Sequence, residues 1–598
     1  MSDKKDLWIA AITRGHNAGV ALLKNGELVF ATEEERYTRR KYDGGPFAAM
    51  IKILEFTDRL DYLVVAHTQT LHDTAGMIDF TGDDVYTGLA RKLGLIDRYR
   101  PSYNKPGMEH PQVIDLSHMH HKLHAACAFY RSGFNEAAAV IVDGAGTFIP
   151  MQVKNENTWG WEVESIFNCS YPAIFDTVFK NIGMRSVVPT QIETVDVKGE
   201  TYDSIISDRA GIVKVYEAAT EYCGFTAIEA GKTMGLFPYG EPNDNIPPLF
   251  DDLGIVSLSN RNVIIPTYPN SGIVNAGLYP ELKDGLASDV TKLQNRRDMA
   301  YACQTQTQAE VVKYIRKAVE KTGHKNVVIS GGYGLNCVAN YHYLEALKDE
   351  GINIYVEPIS NDAGTALGAA LMTHRHLTED TTNYGVDHNL YLGIKYCYSD
   401  EEMLETVNKY NGSIEDATHD DIVELITNKN IVSLFQGGSE AGPRALGNRS
   451  ILYDPTDPDG KDFVNQVKRR EYFRPFAGTI LEEDVHEWFD LRGMDSSPSM
   501  MYAVNCQPGV EDKIPAIIHV DGTCRIQTVN RDQNPHYYDI IKTFKNKTDC
   551  PIIFNTSFNL GGEPLVETLD DACRTLSESE IEYLYLPEYG KLVSIKNA

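Results

Sequence analysis

Four histidines fall within seven positions, at His118, His120, His121 and His124, and the run that they open closes on Asp143-Gly144-Ala145-Gly146-Thr147. Residues four apart on a helix share a face, so His120 and His124 could hold one metal ion between them. Asp143, where an apolar strand gives way to a glycine-rich turn, could add a carboxylate oxygen, while Gly144 and Gly146 would let the backbone approach a phosphate. A mixed nitrogen and oxygen set suits iron, manganese or zinc without choosing among them. The competing reading is a solvated helix end that happens to carry histidines.

Further along, the strand Asn326–Ser330 runs into Gly331-Gly332-Tyr333-Gly334-Leu335-Asn336. Apolar strand, glycine-rich turn and helix make a phosphate-loop geometry, and this reading enrols Gly331, Gly332 and Asn336. What looks like a second copy follows, from the strand Ile352–Val356 into Ser360-Asn361-Asp362-Ala363-Gly364-Thr365 and an Ala-rich helix to His374. Asp362 then stands at a strand's carboxyl end like Asp143, at the crevice where open α/β sheets bind ligands. Glu229 and Lys232, three apart before a Gly/Pro-rich turn, could face a ligand, although an ordinary ion pair explains them as well. His16, in the turn after the first strand, is a candidate for contact with a reacting group.

The second part of the chain differs in character. Seven basic residues, Arg444, Arg449, Lys468, Arg469, Arg470, Arg474 and Arg525, lie in or beside turns. Convergent arginines grip phosphates through two parallel hydrogen bonds, and a hydroxyl such as Ser557 could complete the cradle. The alternative is solvated surface charge.

The elements needed to position these groups can be read in outline. Leu7–Thr13, Gly19–Lys24 and Glu27–Ala31, with an Asn25-Gly26 turn, form a strand–hairpin start. The polar Glu33–Arg39 run should leave the sheet. Asp61–Ala66 reads as a strand, Val85–Arg98 as a helix, and Ala137–Val142 as the strand before Asp143. A long helix is expected over Arg297–Thr322, where Val311, Val312, Ile315 and Val319 keep helical spacing. Thr378–Asn389 reads as a linker. Beyond it, a helix at Asp420–Thr427 and strands at Ile431–Phe435, Ile517–Val520 and Pro551–Phe554 are expected. A hairpin start, two strand-plus-glycine units and acidic residues at strand ends together describe the actin-like ATPase and sugar-kinase superfamily.

Composition narrows the class. At 598 residues the chain should hold two or three domains. Its formal charge of −28, from 56 Lys+Arg against 84 Asp+Glu, opposes binding to a polyanion unless basic residues cluster locally. No run of 18 apolar residues occurs and the start enters a strand at once, so a cytoplasmic protein with no membrane partner is expected. Ten scattered cysteines without a Cys-x-x-Cys give neither a zinc ribbon nor a disulfide framework.

Several motifs occur together and in order: His16-Asn-Ala-Gly-Val-Ala-Leu-Leu, the Glu33–Arg39 run, His120/His124/Asp143, Lys232-Thr-Met-Gly-Leu-Phe-Pro-Tyr-Gly, Asn361-Asp-Ala-Gly-Thr, Gly442-Pro-Arg-Ala-Leu-Gly, Lys468–Ala477, His519–Val529 and Asn555–Val566. In this the chain resembles the NodU/CmcH carbamoyltransferase family, which includes the tobramycin and nodulation-factor carbamoyltransferases. The resemblance implies two α/β domains. Residues 1–385 would be a duplicated, metal-dependent carbamoyl-transfer domain of actin-like type, and 395–598 a YrdC-like domain that forms carbamoyl adenylate. It implies ATP and carbamoyl phosphate as substrates and a hydroxylated acceptor as partner, with a homodimer as the assembly to consider. Carried over by position, the metal ligands are His120, His124, Asp143 and Asp362. The pocket for carbamoyl phosphate and ATP is Arg444, Lys468, Arg474, Arg525 and Ser557, with Lys468 and Arg525 catalytic and His16 assigned as a base from its position. Gly438-Ser439-Glu440-Ala441 departs from the bulkier residues usual there, and Tyr472 stands where Trp is usual.

A sugar-kinase-like phosphotransferase is the remote alternative, and it would not need the Arg-rich second half. The acceptor is open between a small molecule or sugar and a hydroxymethylated pyrimidine in phage DNA. For DNA, the local basic patches would be Arg36, Arg39, Arg40 and Lys41, and Arg91, Lys92, Arg98 and Arg100.

Overall fold

A computed structural model describes residues 6–67, 85–97, 112–153, 156–197, 199–259, 264–266, 268, 273–274 and 290–596. The chain forms two compact units, one of residues 1–34 and 42–387, the other of residues 35–41 and 388–598.

The first unit carries two copies of one sheet plan. Trp8–Thr13 (β1), Gly19–Lys24 (β2), Glu27–Glu33 (β3), Tyr62–Val65 (β4) and Val113–Asp115 (β5) lie in the order β3-β2-β1-β4-β5. The β1–β2 and β2–β3 pairs are antiparallel and the β1–β4 and β4–β5 pairs parallel. The second sheet is built from Glu136–Val142 (β6), Phe148–Val153 (β7), Glu156–Ser170 (β8), Ile174–Met184 (β9), Gln191–Val197 (β10), Glu200–Ser207 (β11), Asn326–Ser330 (β14) and Asn353–Val356 (β15), while Ile264–Ile265 (β12) and Ile273–Val274 (β13) make a small ladder apart. Within that sheet β9-β8-β6-β14-β15 repeats the first sheet in order and in sense. The duplicated α/β class is therefore as expected, but the repeat is the five-stranded half. Asn326–Ser330 and Asn353–Val356 are the fourth and fifth strands of the second half, not copies of each other.

Each half ends in a helix that follows its fifth strand, His120–Arg131 in the first and Ala363–Thr378 in the second. The two pack backbone to backbone, since a Cβ on Gly368 would lie 1.9 Å from Leu123 O. Small residues along both (Ala125, Ala126, Ala366, Ala369, Ala370, all buried) explain their Ala-rich sequences: the close approach leaves no room for longer side chains. The helix Gln294–Thr322 ends on Gly323 in a left-handed conformation, as a C-terminal cap requires. The expected linker is partly tied down, for Arg131 bonds Asp387 through Nε at 3.1 Å and Glu357 through Nη1 at 3.0 Å.

The second unit is one ten-stranded mixed sheet over Ser413–Asp416 (β16), Val432–Phe435 (β17), Arg449–Tyr453 (β18), Ala477–Leu481 (β19), Phe489–Asp490 (β20), Ala503–Cys506 (β21), Thr523–Val529 (β22), Ile552–Ser557 (β23), Tyr583–Leu586 (β24) and Lys591–Ser594 (β25). Its order is β16-β25-β24-β17-β18-β23-β19-β22-β21-β20. The strand expected at Ile517–Val520 is absent: Pro515–Ile517 is a single 3-10 turn, and β22 begins only at Thr523. The apolar signal there came from a buried turn, with Ile514 and Ile517 in the core and Val520 exposed.

Candidate functional site

The two terminal helices and two strand ends of the first unit bring His120, His124, Asp143 and Asp362 together. Their ligand atoms all lie within 4.8 Å of one another, and all four residues are buried. His120 Nε2 is 3.2 Å from Asp143 Oδ2 and 3.7 Å from Asp362 Oδ1, and His124 Nε2 is 3.7 Å from the same Asp362 oxygen. Metal bonds of about 2.1 Å set tetrahedral ligand–ligand edges of about 3.4 Å, so these spacings suit an ion at the centre. Charge points the same way. Burial opposes ionisation of Asp143 and Asp362, yet the histidines hold both below the usual carboxylate range, Asp362 at about 2. Burial likewise opposes a charged His120, but its bond to Asp143 and the field of both carboxylates raise it to about 9. Two buried carboxylates facing two imidazoles at these distances make a donor set that suits a cation.

Supporting groups fix these side chains. Gly332 N donates to Asp143 Oδ1 at 3.0 Å, and Ser330 Oγ lies 3.4 Å from His124 Nδ1. His16 stands at the rim, half exposed, with Nδ1 3.9 Å from Asp362 Oδ2.

Sequence reasoning missed the residues behind Asp143. His121 bonds Ser165 Oγ through Nδ1 at 2.8 Å, and its Nε2 lies 4.0 Å from Asp143 Oδ2. Burial holds this imidazole neutral, its pKa lowered to about 3. Glu162 accepts from the backbone of His121 and Thr147 and from Lys180 Nζ. Glu162 and Lys180 sit on long antiparallel strands with no motif around them; only the adjacency of His121 to His120 offered a signal.

In the second unit the basic side chains converge. Lys468, 3% exposed, donates to Ser557 O, Asn559 O (2.9 Å) and Asn559 Oδ1 (3.3 Å), with Ser557 Oγ at 3.5 Å. Burial, then repulsion from Arg470, Arg474 and Lys41, pushes its amine well below the normal range. Arg470 is depressed in the same way, by burial and then by Arg474 and Arg525. It stacks over Phe476 at 4.5 Å and was not among the expected pocket residues. The loop carrying Arg444 is tied to the same strand ends, for Asn555 Nδ2 donates to Ala445 O at 3.2 Å and Gln527 Nε2 to Leu446 O at 2.9 Å. Cations that depress one another in this way are stabilised by a bound anion.

Both halves of this arrangement match one family. Residues 105–371 fit the family model for the carbamoyltransferase N-terminus and residues 423–591 that for the carbamoyltransferase C-terminus. The chain belongs to the carbamoyltransferase family. Nodulation protein NolNO of Sinorhizobium fredii is 30% identical over 96% of this chain and 78% of its own length. Nodulation protein NolO of Bradyrhizobium diazoefficiens is 31% identical over 78% and 77%. The 3'-hydroxymethylcephem-O-carbamoyltransferase of Streptomyces clavuligerus is 30% identical over 59% of this chain and 63% of its own.

Other expected residues of this carbamoyltransferase prove to have local duties. Glu229 caps Thr226 in a capping box and pairs with Lys232 at 2.7 Å, the ordinary ion pair. Asn336 caps the helix Cys337–Ala346 and exchanges side-chain bonds with Gln304 at 3.0 and 3.1 Å, which occupies its amide. Gly331, at φ 88°, sits where a Cβ would fall 2.5 Å from Val142 O, and Gly146 where one would strike Glu162 and His121. A Cβ on Gly144 would come 3.0 Å from Glu217 Oε1. Gly331 and Gly146 thus let backbone and side chains close in around Asp143, and Gly144 lets the helix Ile212–Tyr222 approach. The small residues Gly438 and Ser439 admit the neighbouring segment, where Gly393 N donates to Ser439 O at 2.9 Å. Of the basic stretches expected to serve DNA, Arg36 is buried and Arg39 engaged within the second unit, Arg91 and Lys92 end the helix Val85–Leu93, and Arg98 and Arg100 lie outside the described residues. No helix among the described residues is long and apolar enough to cross a membrane.

Proposed function

We propose that this carbamoyltransferase acts on oxygen, in two half-reactions carried by its two units. In the second unit carbamoyl phosphate loses its phosphoryl group to water, giving carbamate and inorganic phosphate. A carbamate oxygen then attacks the α-phosphorus of ATP, and pyrophosphate leaves. Lys468, Arg470, Arg474 and Arg525 offset the repulsion between the two polyanions, and Ser557 supplies a hydroxyl to the same cradle. The observation that carries this reading is the gathering of buried Lys468 with half-buried Arg470 where the charges acting on them are mostly cationic.

In the first unit an acceptor hydroxyl attacks the carbamoyl carbon of the adenylate and AMP leaves, yielding an O-carbamoyl product. His16, beside Asp362, takes the hydroxyl proton. His120, His124, Asp143 and Asp362 would hold a divalent ion, iron(II) by preference, whose Lewis acidity would stabilise charge on the adenylate. A small-molecule or sugar hydroxyl is the proposed acceptor class, in keeping with the cephem enzyme among the relatives. The test is to incubate the enzyme with labelled ATP and carbamoyl phosphate, follow pyrophosphate, and then screen hydroxylated acceptors for a gain of one carbamoyl mass. Absence of carbamoyl-phosphate-dependent pyrophosphate release would overturn the scheme.

A further inference from the structure

The sequence leaves the first sheet at Glu34 and returns to the first unit at Tyr42, and the seven residues between belong to the second unit. Two arginines root them there. Arg36, 3% exposed, donates through Nη2 to Gly442 O at 2.9 Å and to Glu440 O at 3.3 Å. Glu440 is itself the hub of its loop, since its Oε1 accepts from the backbone of Leu446, Asn448 and Arg449 at 2.7, 2.9 and 3.3 Å. That loop carries Arg444. Arg39 donates through Nη2 to Pro564 O at 2.9 Å and through Nη1 to Leu565 O, and its Nε lies 3.4 Å from Asp571 Oδ1. Pro564 and Leu565 end the loop that begins at Ser557 and holds Lys468 through Asn559. One short segment thus grips two loops, the one that carries Arg444 and the one whose Ser557 and Asn559 hold Lys468.

The backbone supports the same reading. Arg39, within the segment, has φ 59°, a left-handed value uncommon for a residue with a side chain. Lys41, the last residue of the segment, is close enough to Lys468 for like-charge repulsion to contribute to its depressed amine.

We propose that residues 35–41 brace the polyanion pocket of the second unit, with Arg36 and Arg39 as positioning residues that fix the Arg444 and Ser557 loops for binding of carbamoyl phosphate and ATP. This rests on the pocket assignment above. Arg39 meets its two carbonyls through separate nitrogens, Nη1 and Nη2, a planar fork that an ammonium does not reproduce, so at that position the charge alone does not suffice.

The test is carbamoyl-phosphate-dependent pyrophosphate release by the full chain in Arg36→Ala, Arg39→Ala, Arg36→Lys and Arg39→Lys, beside Arg474→Ala. The alanine variants should raise KM for carbamoyl phosphate about tenfold or more, kcat changing less, with the lysine variants between them and wild type; small misplacements of binding groups have effects of this size. Bound metal in the first unit should stay at the wild-type level. Wild-type KM in folded Arg36→Ala and Arg39→Ala, with Arg474→Ala impaired, overturns the brace alone. Wild-type KM in Arg474→Ala as well overturns the pocket assignment and the brace with it. Should the alanine variants fail to fold, wild-type KM in both lysine variants overturns the brace.

Discussion

Gly332 gives its backbone N–H to Asp143 Oδ1, and that bond turns the other carboxylate oxygen toward His120. The carboxylate belongs to the end of β6 and the donor to the end of β14, parallel neighbours in the second sheet. The orientation of a proposed metal ligand is thereby set by the strand pairing itself. Asp143→Asn and His124→Ala should each lose stoichiometric metal and reduce carbamoyl transfer by more than about 100-fold, since a first-sphere ligand should matter at least as much as the groups behind it. Adenylate formation should persist. Metal analysis and the separate half-reactions check this, and equal loss of both half-reactions in a folded variant would mean one shared site.

Ser330 Oγ lies 3.4 Å from Nδ1 of His124, behind the proposed metal ligand. Ser330→Ala should weaken metal affinity by about tenfold, the size usual for a group that orients a ligating imidazole. A chelator titration followed by metal readout measures it, and unchanged affinity would assign Ser330 to packing.

Lys468→Ala and Arg525→Ala should abolish carbamoyl-phosphate-dependent pyrophosphate release while leaving metal content intact. Retained release in both variants would remove the second-unit pocket from the mechanism.

Glu164 gives a pH dependence whose sign is fixed. It is fully buried, accepts from Ile212 N at 2.6 Å and Asn181 Nδ2 at 2.9 Å, and burial raises its pKa to about 7. A carboxyl raised in the folded state holds its proton longer there than when unfolded. Its contribution to stability is therefore full below about pH 4.5 and is lost as the pH rises through 7, on the order of 3 kcal/mol in all. Glu164→Gln should remove this slope, so the thermal midpoint of the variant relative to wild type should climb between pH 5 and pH 8. A constant difference across that range would refute the assignment.

The first-unit cluster was legible because its residues carry short-range signals: an i,i+4 histidine pair, an aspartate before Gly-x-Gly, an aspartate before an Ala-rich helix. The convergence of Lys468, Arg474 and Arg525 was legible as a surplus of charge in an acidic chain. Arg36 and Arg39 were not, because their partners at Gly442 and Pro564 lie hundreds of residues away and a polar run reads the same whether it faces water or a neighbouring loop. His121, Glu162 and Lys180 were hidden for a related reason, since alternation along β8 and β9 marks which face a residue takes and nothing about its charge partners. Asn336 carries a signal with two readings, since a glycine-rich turn before a helix suits a phosphate and an N-cap equally, and the structure shows the cap.

The repeated sheet plan of the first unit has a consequence for how the protein is made. The histidine pair comes from the helix that closes the first half, and Asp143 and Asp362 from strand ends of the second, so His120 and Asp362 stand more than two hundred positions apart in the sequence. A chain emerging from the ribosome has the first half and both histidines long before it has Asp362. An ion held by all four side chains would thus be a late cross-link across the duplicate, closing a long loop of chain and adding its binding energy to the folded state only once both halves are complete.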